Sequence, residues 1–298
     1  MIHISLKTKE STLEVAKQYY ALSKPGIVYG NAYTTAGGLF FASAQTINLL
    51  LILSTLILIC LIMAGACAIN NAMDINIDSK MQRTNKRPTV SGKISSTKAY
   101  IFGITLSFTS LVLLLITTNI LTFVLGLIAL ITYVPIYTSL KKTTWLATFV
   151  GAIPGALPPV AGYTAITNQI DANSIFIFAT MFVWQMAHFY AIALYRRDEY
   201  KKADVPIVSI VKGQDYTQKM ILAYAISYLL LLPFFFYIGT VGAIFTIALS
   251  LITIWWIRQG LKYYPKVKPT DWGLKMFLGS LKVLVAYSLF LALAGLLP

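Results

Sequence analysis

Long apolar stretches divided by short polar breaks fill most of this chain. About nine can be counted, at residues 27–41, 49–69, 99–116, 121–137, 145–163, 174–194, 220–238, 241–257 and 276–297. A helix of about 20 apolar residues crosses the hydrocarbon core of a bilayer. The pattern therefore predicts an all-α, polytopic membrane bundle of about nine transmembrane helices. The first stretch is short and gains length if it begins near Lys24 and Pro25. The fifth contains "AIPGALPPVAG", whose Pro154, Pro158 and Pro159 predict a kink or an unwound turn. Membranes tolerate such breaks where neighbouring helices or a cavity satisfy the freed backbone groups, so a central cavity is expected. Residues 1–298 read as one integral membrane domain, with residues 1–21 as a polar cytoplasmic arm.

Composition agrees: 57% of residues are hydrophobic and 11% charged, with mean hydropathy +0.72. Soluble domains carry roughly 25% charged residues, which sets soluble folds aside. Cys60 and Cys67 share one apolar stretch without metal-ligand spacing and read as a packed helix face. The N-terminal arm has no apolar signal core, and Glu10 and Glu14 weigh against a transit peptide.

The bases fall in alternate connections. They occupy the N-terminal arm (Lys7, Lys9, Lys17, Lys24) and the second–third loop (Lys80, Arg83, Lys86, Arg87, Lys93, Lys98). Lys141 and Lys142 follow the fourth stretch, and the sixth–seventh and eighth–ninth connections are also basic; Lys282 alone lies further into a span. The opposite side shows Asp171 and no base. The positive-inside rule places the N-terminus in the cytoplasm and the C-terminus outside. The expected location is the inner (plasma) membrane of a prokaryote, multi-pass, with the site facing the cytoplasm. Topology and anionic substrates account for the net charge of +14, so the bilayer is a partner and nucleic acid is not.

One polar passage interrupts this logic. "NNAMDINIDSKMQRTNKRP", residues 70–88, follows an uncharged span with Asn70, Asp74 and Asp78 at four-residue spacing. On a helix these positions share one stripe, so the passage predicts two carboxylates and an amide oxygen on one face at the membrane boundary. Taken alone, such a loop is more often a solvated surface. Asn70 and Asp74 argue otherwise, because they extend the stripe back into the apolar span, where acids are costly and functional by default. Hard oxygen ligands suit Mg²⁺ bridging to a phosphate. Arg83 and Arg87 are planar forks for phosphate oxygens, with Lys86 a point charge between them. A metal-bound diphosphate uses both halves of the passage.

A second polar passage, residues 182–213, places Trp184, Gln185 and His188 within an apolar helix that then breaks into Arg196, Arg197, Asp198, Glu199 and Asp204. Two acid clusters are thus expected to face one cavity. His188 is the only histidine in a span; position alone favours a hydrogen-bonded structural role, and Gln185 three residues earlier is placed to orient it.

Residues 70–88 resemble the first acidic motif of the UbiA superfamily of intramembrane prenyltransferases. "LSKPGIV", "GAIPGALPPVAGY" and "WQMAHFYAIALYRRDEYKKADVPIV" resemble its haem-farnesylating branch. The resemblance runs from about Leu22 to the final helix. Position 76 is Asn where the family often has a third acid, and Ala187 replaces a frequent Pro before the histidine. The resemblance implies nine helices around a cavity open to the membrane, and transfer of farnesyl from farnesyl diphosphate to haem B with water, giving haem O. It implies Mg²⁺ as cofactor, held by Asn70, Asp74 and Asp78, with Asp198 and Glu199 at a second ion. Arg83, Lys86, Arg87 and Lys202 would hold diphosphate, and His188, Trp184, Gln185, Tyr195 and Arg196 the haem. Lys141, Lys142, Arg196 and Arg197 are candidates for the propionates, and a haem A synthase is a candidate partner. Two alternatives stand: a UbiA-type enzyme acting on a quinone precursor or chlorin, and, more remotely, a transporter lined by the broken fifth helix.

Overall fold

The computed structural model describes residues 11–43 and 47–294. Lys7, Lys9, Glu10 and the end of the last predicted span lie outside them. The described residues form helices joined by short turns and loops. An amphipathic helix α1 (Thr12–Leu22) is capped by Ser11 and precedes the first long helix, α2 (Pro25–Ala42). Then follow α3 (Leu49–Met73), a single turn α4 (Ile75–Asp78) and α5 (Ser96–Thr117). The next span comprises α6 (Ile120–Ile131), a π-helical turn at Thr132–Tyr137 and α7 (Thr138–Leu140). Helices α8 (Ala147–Thr167) and α9 (Ala172–Tyr195) come next, trailed by short α10 (Arg197–Lys202) and α11 (Val208–Val211). Helices α12 (Gln214–Tyr237), α13 (Ala243–Tyr263) and α14 (Pro269–Leu293) complete the bundle.

Eight of these spans are long and apolar enough to cross a membrane, and α2 joins them as a shorter helix. The nine apolar stretches thus each become a long helix, extended by one or two turns where polar residues continue the hydrogen-bond ladder. Helix α3 packs on α5, α2 on α8, and α9 on α8, α12 and α14. Exposed Leu, Ile and Phe side chains cover the outer faces, as a lipid-facing surface requires.

The fifth span corrects one expectation. Despite Pro154, Pro158 and Pro159, α8 is helical from end to end. It is also the most enclosed span, with 72% of its apolar window buried. Gly38 of α2 lies so close that a Cβ there would stand 2.0 Å from the Pro159 carbonyl oxygen. Neighbouring backbone therefore clamps the proline-bearing turns into helical geometry. The irregular turn sits one span earlier, at Pro135. Proline cannot donate to the preceding turn, and here the ladder widens to π geometry, a form found mostly at functional sites.

Candidate active site

A cavity of about 600 Å³ runs from a polar mouth into the bundle. Its mouth is built by connections that the sequence had marked as basic: Lys24, the segment Asn70 to Arg87, Lys141, and the Tyr200–Ile207 segment all line it. Deeper in, Trp184, Gln185, His188, Phe189 and Phe277 form the wall.

The acidic stripe is bent. Helix α3 ends at Met73, Asp74 leaves helical geometry, and Asp78 belongs to the separate turn α4. Backbone bonds from Asp74 N–H to the Asn70 carbonyl (3.0 Å) and from Asp78 N–H to the Asp74 carbonyl (2.8 Å) keep the three residues on one side of the bend. All three are buried. Each meets a base brought from elsewhere. Lys24 donates to Asn70 Oδ1, Lys141 to Asp74 Oδ2, and Arg87 Nη1 to Asp78 Oδ2 at 2.5 Å. Lys142 caps the end of α3 through the Met73 carbonyl at 3.0 Å, a favourable place for a cation at a helix C-terminus.

The π turn has a visible consequence. Thr138 Oγ1 donates to the Tyr133 carbonyl at 2.9 Å and accepts from Asn70 Nδ2 at 2.8 Å, which fixes the amide with its oxygen towards Lys24. Tyr133 and Tyr137, stacked at 5.9 Å, line the same wall. Lys24 precedes α2 in a left-handed conformation (φ 51°). Burial, with Arg87 and Lys141 nearby, lowers its ammonium to about 8. Tyr200 enters from α10; burial raises its phenol, and the Arg83, Lys141 and Arg87 charges partly oppose that rise.

The arrangement fits Mg²⁺. Asp74 Oδ1 is buried without a hydrogen-bond partner among the described residues. Asp78 and Asn70 supply further hard oxygens beside it. No three His, Cys, Asp or Glu side chains cluster among the described residues, so phosphate oxygens and water would supply the remaining ligands.

The second acid cluster does not join this site. Asp198 is 78% exposed and pairs with adjacent Arg197 at 3.6 Å. Glu199 Oε1 accepts from Arg196 at 2.7 Å, and neither residue lines the cavity, although Glu199 Oε2 is buried and unpartnered. The reason is geometric: α10 starts immediately after α9 and turns Asp198 outward. Lys86 and Lys202 are exposed; Tyr195 and Arg196 are half-buried and stack on one another at 4.3 Å, and none of the four lines the cavity. Arg83 is exposed at the mouth but does line it. The propionate candidates are otherwise engaged: Lys141 and Lys142 hold the α3 end, and Arg197 donates to the Ser209 carbonyl at 3.3 Å.

Deeper in the cavity, the Trp184 ring stacks on His188 at 4.6 Å and 20°. The expected Gln185–His188 contact is absent. Gln185 instead lies flat on α8, where only Gly155 leaves room, and its Oε1 is buried without a partner. His188 Nδ1 bonds Ser280 Oγ of α14 at 2.7 Å.

Sequence reasoning missed Lys24, Tyr133, Tyr137, Thr138, Tyr200 and Ser280 as neighbours of this site, and Lys141 as the partner of Asp74. Only "SKP" before α2 and a proline among tyrosines at 133–137 carried any local signal.

These features describe a membrane helix bundle whose cavity joins a charged mouth to an apolar wall. Residues 31–281 match the UbiA prenyltransferase family, and the chain belongs to that family. Curated relatives include the protoheme IX farnesyltransferases of Protochlamydia amoebophila (37% identical, covering 91% of this chain and 96% of the relative) and Marinomonas sp. (35%; 93% and 94%). That of Francisella tularensis subsp. novicida is 39% identical over 83% of this chain and 89% of its own length. Among solved structures, digeranylgeranylglyceryl phosphate synthase shares the fold with TM-score 0.76 at 19% identity, covering 95% of this chain and 99% of that one. A UbiA homolog from Archaeoglobus fulgidus bound to GPP and Mg²⁺ shares it with TM-score 0.68 at 19% identity (92% and 99%).

Proposed function

We propose that this protein transfers the farnesyl group of farnesyl diphosphate to a vinyl group of haem B, with addition of water, giving haem O and diphosphate. The observation that carries the reading is the cavity in which a basic, acid-bearing mouth opens onto an apolar wall with one histidine. Relatives 32–39% identical over most of the chain support the same acceptor.

In this reading diphosphate sits at the mouth and the farnesyl chain extends inward along apolar surface. Asn70, Asp74 and Asp78 would hold Mg²⁺, which offsets charge on the leaving diphosphate. Arg83 and Arg87 grip its oxygens, with Lys24 and Lys141 completing the positive field. The carbon–oxygen bond of the allylic diphosphate breaks, the haem vinyl forms the new carbon–carbon bond, and water quenches the resulting cation with loss of a proton. The apolar wall keeps water from the first cation. Trp184 and His188 lie where a macrocycle would stack, with His188 as axial ligand or base. The mouth faces the cytoplasm by the distribution of bases, in a prokaryotic plasma membrane, and a haem A synthase is the proposed downstream partner.

Purified protein incubated with haem B, farnesyl diphosphate and Mg²⁺ should yield a haem heavier by one farnesyl and one hydroxyl group, read by mass spectrometry. Product from a quinone precursor or chlorin, with none from haem B, would overturn the acceptor assignment.

A further inference from the structure

Ser280 is a fully buried serine on α14, and three hydrogen bonds converge on it. Its Oγ–H donates to the Phe277 carbonyl at 2.6 Å, one turn back on the same helix. Its backbone carbonyl accepts from Trp184 Nε1 at 3.0 Å. Its Oγ also lies 2.7 Å from His188 Nδ1. A hydroxyl has one proton to give, and the Phe277 carbonyl, which can only accept, lies at the shorter of its two contacts, 2.6 Å against 2.7 Å. With the proton given to that carbonyl, Ser280 Oγ accepts at His188 and Nδ1 carries the hydrogen. In a neutral imidazole the other nitrogen, Nε2, then holds the lone pair. His188 lines the cavity, while Trp184 stacks on its ring and Phe277 packs at 5.1 Å.

We infer that Ser280 is the positioning residue of the acceptor subsite. It fixes His188 as the Nδ1–H tautomer, so that Nε2 presents a lone pair for haem iron or for a proton released when water adds. Through its carbonyl it also holds the Trp184 ring parallel to the imidazole. A partner of this kind selects which nitrogen of a histidine works and sets the ring plane. The inference rests on the proposed function only in naming what Nε2 meets; the tautomer rests on giving the Ser280 proton to the Phe277 carbonyl.

The chain has two histidines, His3 and His188, so ¹⁵N-histidine labelling gives a spectrum that His188→Ala assigns directly. Haem-free wild-type protein at neutral pH should show His188 with a pyrrole-type Nδ1 and a pyridine-type Nε2. A pyridine-type Nδ1, or two pyrrole-type nitrogens, overturns the inference. Ser280→Ala should turn the single tautomer into a mixture and lower turnover about 10–100-fold, the usual effect of removing a histidine's outer partner, with KM for farnesyl diphosphate unchanged. Ser280→Thr, which keeps the hydroxyl, should restore the tautomer and most of the turnover. An unchanged tautomer in Ser280→Ala counts against the inference, and if that variant does not fold the wild-type spectrum decides. Wild-type turnover in His188→Ala would instead sink the role of His188 in the proposed function, leaving the tautomer assignment standing.

Discussion

The ends of α3 and α9 make an instructive pair. Both are apolar spans that leave the membrane into acids followed or flanked by bases, and both carry two carboxylates within five residues. At the end of α3 the carboxylates of Asp74 and Asp78 are 4% and 5% exposed. Their partners come from a distance: Lys141 reaches Asp74 from beyond the π turn, and Arg87 folds back from the following loop. After α9 the pairing is local. Arg197 meets Asp198, Arg196 meets Glu199, and Asp198 is 78% exposed. A charge taken out of water is tolerated only when a partner and further hydrogen bonds replace its hydration. Distant partners therefore accompany a buried, preorganised site, while neighbours in sequence suffice for a surface turn.

The sharpest way to break this contrast is to remove charge at the buried end. Asp74→Asn keeps the shape of the side chain, and turnover should fall at least about 100-fold, as when one preorganised electrostatic group is lost from an active site. Haem O quantified by mass spectrometry checks it; product at the wild-type rate would make the two ends equivalent. Arg87→Lys retains a cation but not the fork that can hold Asp78 and a phosphate together. A loss of about tenfold in kcat/KM for farnesyl diphosphate is expected, equivalent to ~1.4 kcal/mol of transition-state binding. An unaltered constant would reduce Arg87 to a topology signal.

The exposed end should respond weakly. Asp198→Ala is expected to change turnover less than about twofold, because an exposed ion pair contributes little. A collapse of activity would restore Asp198 as a metal ligand and erase the distinction drawn above. The smallest effect belongs to Lys80→Ala, which removes the 2.7 Å pair with Asp204 that bridges the two loops at 50% and 80% exposure. Stability should drop by no more than about 1 kcal/mol, and by less at high salt, as thermal unfolding across a salt series would show.

What was readable in advance follows from the physics each feature uses. The bundle was legible because a bilayer demands length and apolarity from each segment separately. The side on which the bases gather was legible because loop charge is local. Asn70, Asp74 and Asp78 stood out because acids continuing into an apolar span have no cheap structural explanation. That Asp198 and Glu199 stand off the cavity wall was not legible, since composition does not say which way α10 turns its side chains. The proline-rich α8 was over-read as broken, since its propensity was outweighed by enclosure between α2, α6 and α9.

The sequence by itself determined the number of spans, the side on which the bases gather, and one set of candidate oxygens. Tertiary structure alone decided which bases meet them. Lys24 and Lys141 lie 46 and 67 residues from their partners, and Ser280 lies 92 residues from His188. No periodicity encodes such pairs, because helix packing sets the register between segments, and that register depends on every close contact at once, down to the missing Cβ of Gly38 against Pro159.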